Sequence, residues 1–188
     1  LMSIGSSALT VIRHQQLEIK ESARNYHAVF KGSTADQVFI LENHADVESL
    51  STRESVASIE LPKLNAVLNF DSTKKGSIDQ IQLANGKMPV EADEIAGPPA
   101  LFERLDVVPE IGQKFQIPLR IQGGKVENYD FTITGILEQT DISKLNVNET
   151  RLVYGAFVSE KFVEQHIAPE DRTYTAYIRI VNENKHSK

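Results

Sequence analysis

The middle of the chain alternates between apolar and polar residues with a period of two. Every second residue from 115 to 121 is apolar, and the alternation resumes from 129 to 133. This pattern predicts two strands, each with one buried face. Gly123-Gly124 lies between them and marks a turn, so the two strands are expected to form a hairpin. Because Pro118 lacks a donor, its strand should lie at an edge or turn that side outward.

Helices are predicted by spacing and by capping signals. The segment 7–24 contains no glycine or proline, and its apolar residues keep roughly helical spacing, which predicts an amphipathic helix. Thr34 and Gln37 have the spacing of a capping box, which favours a helix for the apolar run that follows. Pro98-Pro99 suits the first turn of another helix, and Ser159 suits the N-cap of a last one.

The remaining apolar runs are short and read as strands, whereas the polar run 71–76 reads as a turn. The strand candidates are 26–31, 47–50, 55–61, 66–70, 78–83, 152–158 and 174–180. The opening order of strand, helix and strand is a βαβ-like unit. From residue 64 the pattern becomes mostly β with an inserted helix. The predicted fold class is therefore α+β.

Composition narrows the function classes. The chain has 188 residues, enough to bury a core, and a net charge of −6, which argues against binding to nucleic acid or to anionic membranes. It has no cysteine, which removes disulfides and thiol catalysis. No apolar run is long enough to span a membrane. Both ends are those expected of a fragment cut from between two membrane spans.

Candidate chemistry is sparse. Gly86-Lys87 lacks the other residues of a phosphate-binding loop, and the Gly-x-Ser-x-Gly motif of hydrolases is absent. His14 and Glu18 have helical spacing for two metal ligands, but a solvated face is favoured because no third ligand is evident. The acidic run 91–94 lacks the spacing of a calcium loop and is predicted to be a solvated loop. We therefore predict no catalytic, cofactor-binding or metal-binding residue.

A series of short motifs follows in a recognisable order. The motifs are Gly86-Lys-Met-Pro89, Asp93-Glu-Ile95, 101–105, Gly112-Gln-Lys-Phe115 and 131–137. In that order they resemble the extracytoplasmic, MacB-like core domain of FtsX-like ABC transporter permeases, of the Gram-positive type. The chain departs from the family pattern at 96–99, where Ala-Gly-Pro-Pro replaces a longer apolar set.

The resemblance implies two subdomains. Residues 1–62 and 171–188 would form a porter-like α/β subdomain, in which 7–24 is a stalk helix rising from the membrane. Residues 63–170 would form an inserted, mostly-β subdomain that carries a short helix.

The resemblance also implies a non-enzymatic role at the plasma membrane, with this domain on the extracytoplasmic side. The domain would couple cytoplasmic ATP hydrolysis to the export, extraction or sensing of a peptide, lipoprotein or antibiotic. The implied partners are a cytoplasmic ABC ATPase, a second permease copy or related permease, and a peptide, lipoprotein or cell-wall hydrolase, but no nucleic acid. Two alternatives remain open: a free-standing secreted or surface module that binds a peptide or glycan, and an enzyme whose site is assembled from scattered acids. Membrane spans on either side of this segment would exclude the free-standing module.

Overall fold

The chain folds as a mixed α+β structure that is mostly β-sheet. The computed structural model describes residues 28–77, 81–138 and 153–181. The strands are β1 Ala28–Ser33, β2 Val47–Ile59, β3 Asn65–Lys75, β4 Leu83–Gly86, β5 Glu94–Gly97, β6 Lys114–Ile121, β7 Val126–Leu137, β8 Val153–Val158 and β9 Tyr174–Ile180. The helices are α1 Ala35–Glu42, α2 Pro99–Arg104 and α3 Glu160–His166, with a 3₁₀ turn at Pro169–Asp171. The helix predicted over 7–24 lies outside the described residues.

The described residues divide into two compact units. The first unit contains 28–54, 71–77 and 172–181, and the second contains 55–70, 81–138 and 153–171. The divisions at 54/55 and 70/71 fall inside strands β2 and β3.

The first unit is a small sheet covered by one helix. Its strands lie in the order β1-β9-β2-β3, and β9 is antiparallel to both β1 and β2. Strands β1 and β2 are therefore parallel to each other, which gives the expected strand–helix–strand unit with β9 between its strands. Val38 and Leu41 of α1 are buried against Ala28, Leu50 and Ile178 of the sheet.

Helix α1 begins with the predicted capping box. Gln37 N donates to Thr34 Oγ1 at 3.3 Å, and Thr34 N donates to Gln37 Oε1 at 2.9 Å. Two backbone donors that would otherwise have no partner in the helix are thus bonded. Ser159 caps α3 with a single bond, its Oγ accepting from Phe162 N at 3.1 Å.

The second unit is built on parallel as well as antiparallel pairs. β3 pairs in parallel with β8, β5 is antiparallel to β8 and parallel to β7, and β4 is antiparallel to β7. β6 pairs with β7 along its whole length. Phe102, Phe131 and Phe162 are buried at the centre of the core of this unit.

The predicted hairpin is confirmed as β6–β7. Gly124 N donates to Ile121 O at 2.8 Å, and the two central residues, Gln122 and Gly123, have φ of 40° and 74°. Two positive φ values define the turn whose twist matches a right-handed strand pair, and glycine adopts such a φ without a Cβ clash.

Over part of its length β6 is not an edge strand, and Pro118 lies where that part begins. Leu119 to Ile121 also pair with the last residues of β2, and Pro118 O accepts from Glu60 N at 3.0 Å. The reciprocal bond from residue 118 is impossible because proline has no N–H. The pairing with β2 accordingly stops at this residue.

Two predictions about the first strands are wrong. The pieces 47–50 and 55–61 are a single strand, β2, and the supposed turn 71–76 is the second half of β3. The polar side chains of this second half have partners. Nε and Nη2 of Arg53 each donate to a carboxylate oxygen of Asp71 at 2.8 Å, and Lys75 Nζ donates to His44 O at 3.0 Å. A polar run can thus continue a strand when its side chains pair across the sheet.

Thr134 on β7 carries a buried hydroxyl for which the described part of the chain provides no hydrogen-bond partner. Burying a hydroxyl without a bond costs about 1–3 kcal/mol. We therefore expect Thr134→Val to raise the free energy of unfolding by about 1 kcal/mol in urea titrations. Thr134→Ser, which keeps the hydroxyl and removes the methyl group, should lower it. A destabilised valine variant would mean that the hydroxyl is bonded in solution.

Candidate functional site

Two segments of the second unit expose apolar side chains, and we call them together the loop surface: 87–93 and 106–113. Val90, Val108 and Ile111 are 54%, 53% and 44% exposed. Single exposed apolar side chains are common on proteins, whereas several that form one patch indicate a contact surface.

Both segments of the loop surface are fixed to the same part of β7. Lys87 N donates to Thr134 O at 2.8 Å, and Gly112 N donates to the neighbouring Ile133 O, also at 2.8 Å. The side chain of Ile111 reaches Gly86, where an added Cβ would lie 2.6 Å from Ile111 Cδ1. The loop surface is therefore held by backbone bonds to a buried strand.

The acidic run on the loop surface is an internally bonded turn. Glu94, the first residue of β5, accepts at Oε1 from Val90 N at 2.9 Å and from Glu91 N at 2.8 Å. Glu91 in turn pairs with Lys161 at 2.9 Å. Glu91 and Asp93 are exposed, as predicted for a solvated loop, whereas Glu94 begins β5 and holds the turn together with its carboxylate.

The bonded turn has a consequence at low pH. The backbone N–H of Glu91 makes the largest contribution to lowering the pKa of Glu94 from its ordinary value of 4.5. Burial opposes this effect, and the backbone N–H of Val90 lowers the pKa further. A carboxyl with a lowered folded pKa adds stability above the unfolded value, and that stability is lost as the pH falls through the folded pKa. We expect Glu94→Gln to destabilise the chain at neutral pH, and the difference to shrink below pH 4.5.

Urea titrations at both pH values measure this difference. Glu91→Gln is the matched control, because its exposed pair with Lys161 contributes little. A Glu94→Gln effect that stays constant across the pH range would contradict the prediction.

A second candidate site in the second unit is a cluster of aromatic side chains. Phe162 packs on Phe131 and His166 with ring centroids 5.6 and 4.5 Å apart, and Tyr129 stands edge-on to His166 at 5.3 Å. Burial lowers the pKa of His166, while the charge of Glu127 opposes this. Burial, and then the charge of Glu127, raises the pKa of Tyr129. A neutral histidine stacked on rings is suited to packing.

The first unit contains a buried ion pair. Nε and Nη2 of Arg172 donate to the two carboxylate oxygens of Glu54, at 2.8 and 2.7 Å. The side chains of Arg172 and Glu54 are 13% and 4% exposed. The guanidinium also lies 5.6 Å from the centre of the Tyr174 ring. Sequence reasoning missed this pair because its members are 118 positions apart and no local pattern links them.

The other residues considered from sequence are dispersed. His14 and Glu18 lie outside the described residues. Gly86 has a φ of 77°, and a Cβ there would collide with Thr134 O, so its glycine serves backbone packing. Residues 28–77, 81–138 and 153–181 contain no group of three potential metal ligands. Within the same ranges, no helix is long and apolar enough to cross a membrane.

The fold is similar to that of a solved extracellular domain of an ABC-type transporter. The structure is similar to the extracellular domain of the noncanonic ABC-type transporter YknZ from Gram-positive bacteria, with a TM-score of 0.51 and 10% sequence identity over 84% of each chain. The periplasmic region of MacB from Actinobacillus actinomycetemcomitans also matches, with a TM-score of 0.43 and 10% identity over 84% of this chain and 76% of that chain. No protein-family model and no curated protein sequence matches the chain. The sequence resemblance is thus confirmed for the fold.

Proposed function

We propose that this chain is the extracytoplasmic domain of an ABC transporter permease, and that it has a mechanical role, not a catalytic one. The observation that carries the proposal is the fold shared with the YknZ extracellular domain over 84% of both chains. The order of the motifs between residues 86 and 137 supports it independently, because a fold comparison uses no side-chain identities.

The two units give the proposed domain its organisation. The first unit would be the porter-like subdomain, because residues 172–181 return to it after the second unit is complete. The second unit would be the inserted subdomain. Residues 7–24 would form the stalk that connects the first unit to the membrane.

The proposed partners are a cytoplasmic ABC ATPase, reached through the membrane part of the permease, and a second copy of the permease or a related one. Nucleotide binding would shift a two-state equilibrium that the outer domain follows. The cargo would be a peptide, lipoprotein or antibiotic, or the domain would engage a cell-wall hydrolase. The exposed apolar side chains of the loop surface suit a contact of this kind.

The first test is the coding sequence on either side of this segment. We expect an apolar span of about 20 residues before residue 1 and about three more after residue 188. A signal peptide followed directly by residue 1, with a stop soon after residue 188, would overturn the proposal in favour of a secreted binding module.

A second test separates transport from ATP hydrolysis. A full-length permease lacking residues 28–181, purified with its ATPase, should keep basal ATP hydrolysis and lose export. A variant in the nucleotide site of the ATPase should lose both. Export that survives removal of residues 28–181 would contradict a coupling role for this domain.

A further inference from the structure

Strand β4 ends in the only Asn-Gly sequence of the chain, Asn85-Gly86. Both residues are exposed, and β4 stands at the end of the strand order, where it pairs with β7 among the described strands. An asparagine followed by glycine is open to attack on its side-chain carboxamide by the next backbone nitrogen, because glycine has no Cβ to hinder the approach.

The pairing of β4 with β7 turns the reacting nitrogen outward. Lys87 N donates to Thr134 O at 2.8 Å. Along an antiparallel strand, successive N–H groups point to opposite sides. Gly86 N therefore points away from β7, towards the open side of β4, and no ladder bond to β7 holds its hydrogen.

Gly86 N instead donates a hydrogen bond to the Asn85 carboxamide, the group that it would attack. It donates to Asn85 Oδ1 at 2.8 Å, the carbonyl oxygen of the neighbouring carboxamide. The nitrogen is thus held beside the carboxamide carbon, Cγ. Gly86 also has a φ of 77°. Glycine adopts this backbone conformation readily because it has no Cβ, so the arrangement is kept without steric strain.

We propose that Asn85 is a site of spontaneous deamidation and isoaspartate formation in the folded protein. Hydroxide or a buffer base removes the proton of Gly86 N, and the nitrogen forms a bond to Asn85 Cγ. The carboxamide nitrogen takes a proton back from water or the protonated buffer, its bond to Cγ breaks, and it leaves as ammonia. Water then opens the cyclic imide. Cleavage of the new N–Cγ bond gives aspartate at position 85, and cleavage of the bond to the main-chain carbonyl carbon gives isoaspartate. One water is consumed, one ammonia is released, and no redox change occurs.

The two products affect β4 differently. Aspartate adds a negative charge and leaves the backbone unchanged. Isoaspartate adds a methylene group to the main chain, so the present pairs of Asn85 with Ile136 and Gly86 with Gly135 cannot both be kept. The isoaspartate form should therefore release β4 from β7 next to the loop surface.

The experiment follows conversion in the intact folded chain at mildly alkaline pH, by mass spectrometry of tryptic peptides. The peptide 76–87 contains Asn85 as its only asparagine, and 126–144 contains the exposed Asn128 as an internal control. Deamidation at Asn85 should be at least about tenfold faster than at Asn128, which is followed by tyrosine. Chromatographic separation of the two isomers should show both aspartate and isoaspartate.

Two comparisons make the result decisive. Asn85→Gln, whose longer side chain would have to form a larger ring, should abolish the conversion in 76–87. The same chain unfolded in urea gives the rate for this sequence without the fold, and the folded chain should react at least as fast. A folded chain that stays intact while the unfolded chain converts would overturn the proposal, because the fold would then protect Asn85.

Discussion

Replacing Arg172 by methionine is expected to lower the free energy of unfolding by about 3–5 kcal/mol, because it leaves the buried carboxylate of Glu54 without its partner. Glu54 is only 3% exposed and accepts two short bonds from the guanidinium. A carboxylate that loses such bonds within a protein cannot recover them from water. Urea titration followed by far-ultraviolet circular dichroism measures the change.

The first unit provides its own control for this variant. Arg53 and Asp71 form a pair of the same two-bond geometry, but their side chains are 39% and 27% exposed. Arg53→Met should therefore cost about 1 kcal/mol or less. The double variant Glu54→Met with Arg172→Met should recover most of the stability, because an apolar pair of similar volume replaces the buried ions. Equal losses for Arg172→Met and Arg53→Met would show that burial does not set the effect.

Phe162→Ala should destabilise the second unit by about 3–5 kcal/mol, because it removes a buried ring and leaves a cavity. The ring is 2% exposed and contacts Phe131, Tyr129 and His166, with centroids 4.5–6.0 Å away. Its loss removes the partner shared by all three. Thermal or urea unfolding measures the effect, and a larger midpoint shift is expected for Phe162→Ala than for Phe162→Leu.

Phe39→Ala is the matched control for Phe162→Ala, because it makes the same chemical change on a side chain that is 65% exposed. The change should stay within about 0.5 kcal/mol. A Phe162→Ala effect no larger than that of Phe39→Ala would mean that the ring cluster is loosely packed and relaxes around the missing side chain.

Local signals in the sequence predicted the elements that depend on local physics. The Thr34–Gln37 capping box, the Ser159 cap and the alternation from 115 to 121 each act over a few residues, and each has the expected structure. Polarity was misleading where partners are distant. Asp71 reads as a turn residue because its partner, Arg53, lies 18 positions upstream.

Strand β5 shows a second way in which sequence patterns fail. Glu94–Gly97 has only four residues, too few for a periodicity, and follows an acidic run. Yet Ile95 and Ala96 are fully buried, because β7 and β8 pair with the strand on its two sides. No local sequence pattern predicted the loop surface or the Glu54–Arg172 pair, since each is assembled by pairing between distant segments.

The parallel pairing of β3 with β8 determines how the second unit must fold. Asn65 pairs with Val153 and Asn69 with Phe157, so this contact joins residues that are far apart in the chain. The conformational entropy of the intervening segment is lost before the strand pairing stabilises the fold. The β6–β7 hairpin is local, and hairpins of this kind form in about 1–10 μs. The short loop of this hairpin therefore closes sooner than the long segment between β3 and β8. During that interval the unpaired edge of β3 is open to strands of other molecules, so folding yield should fall as chain concentration rises.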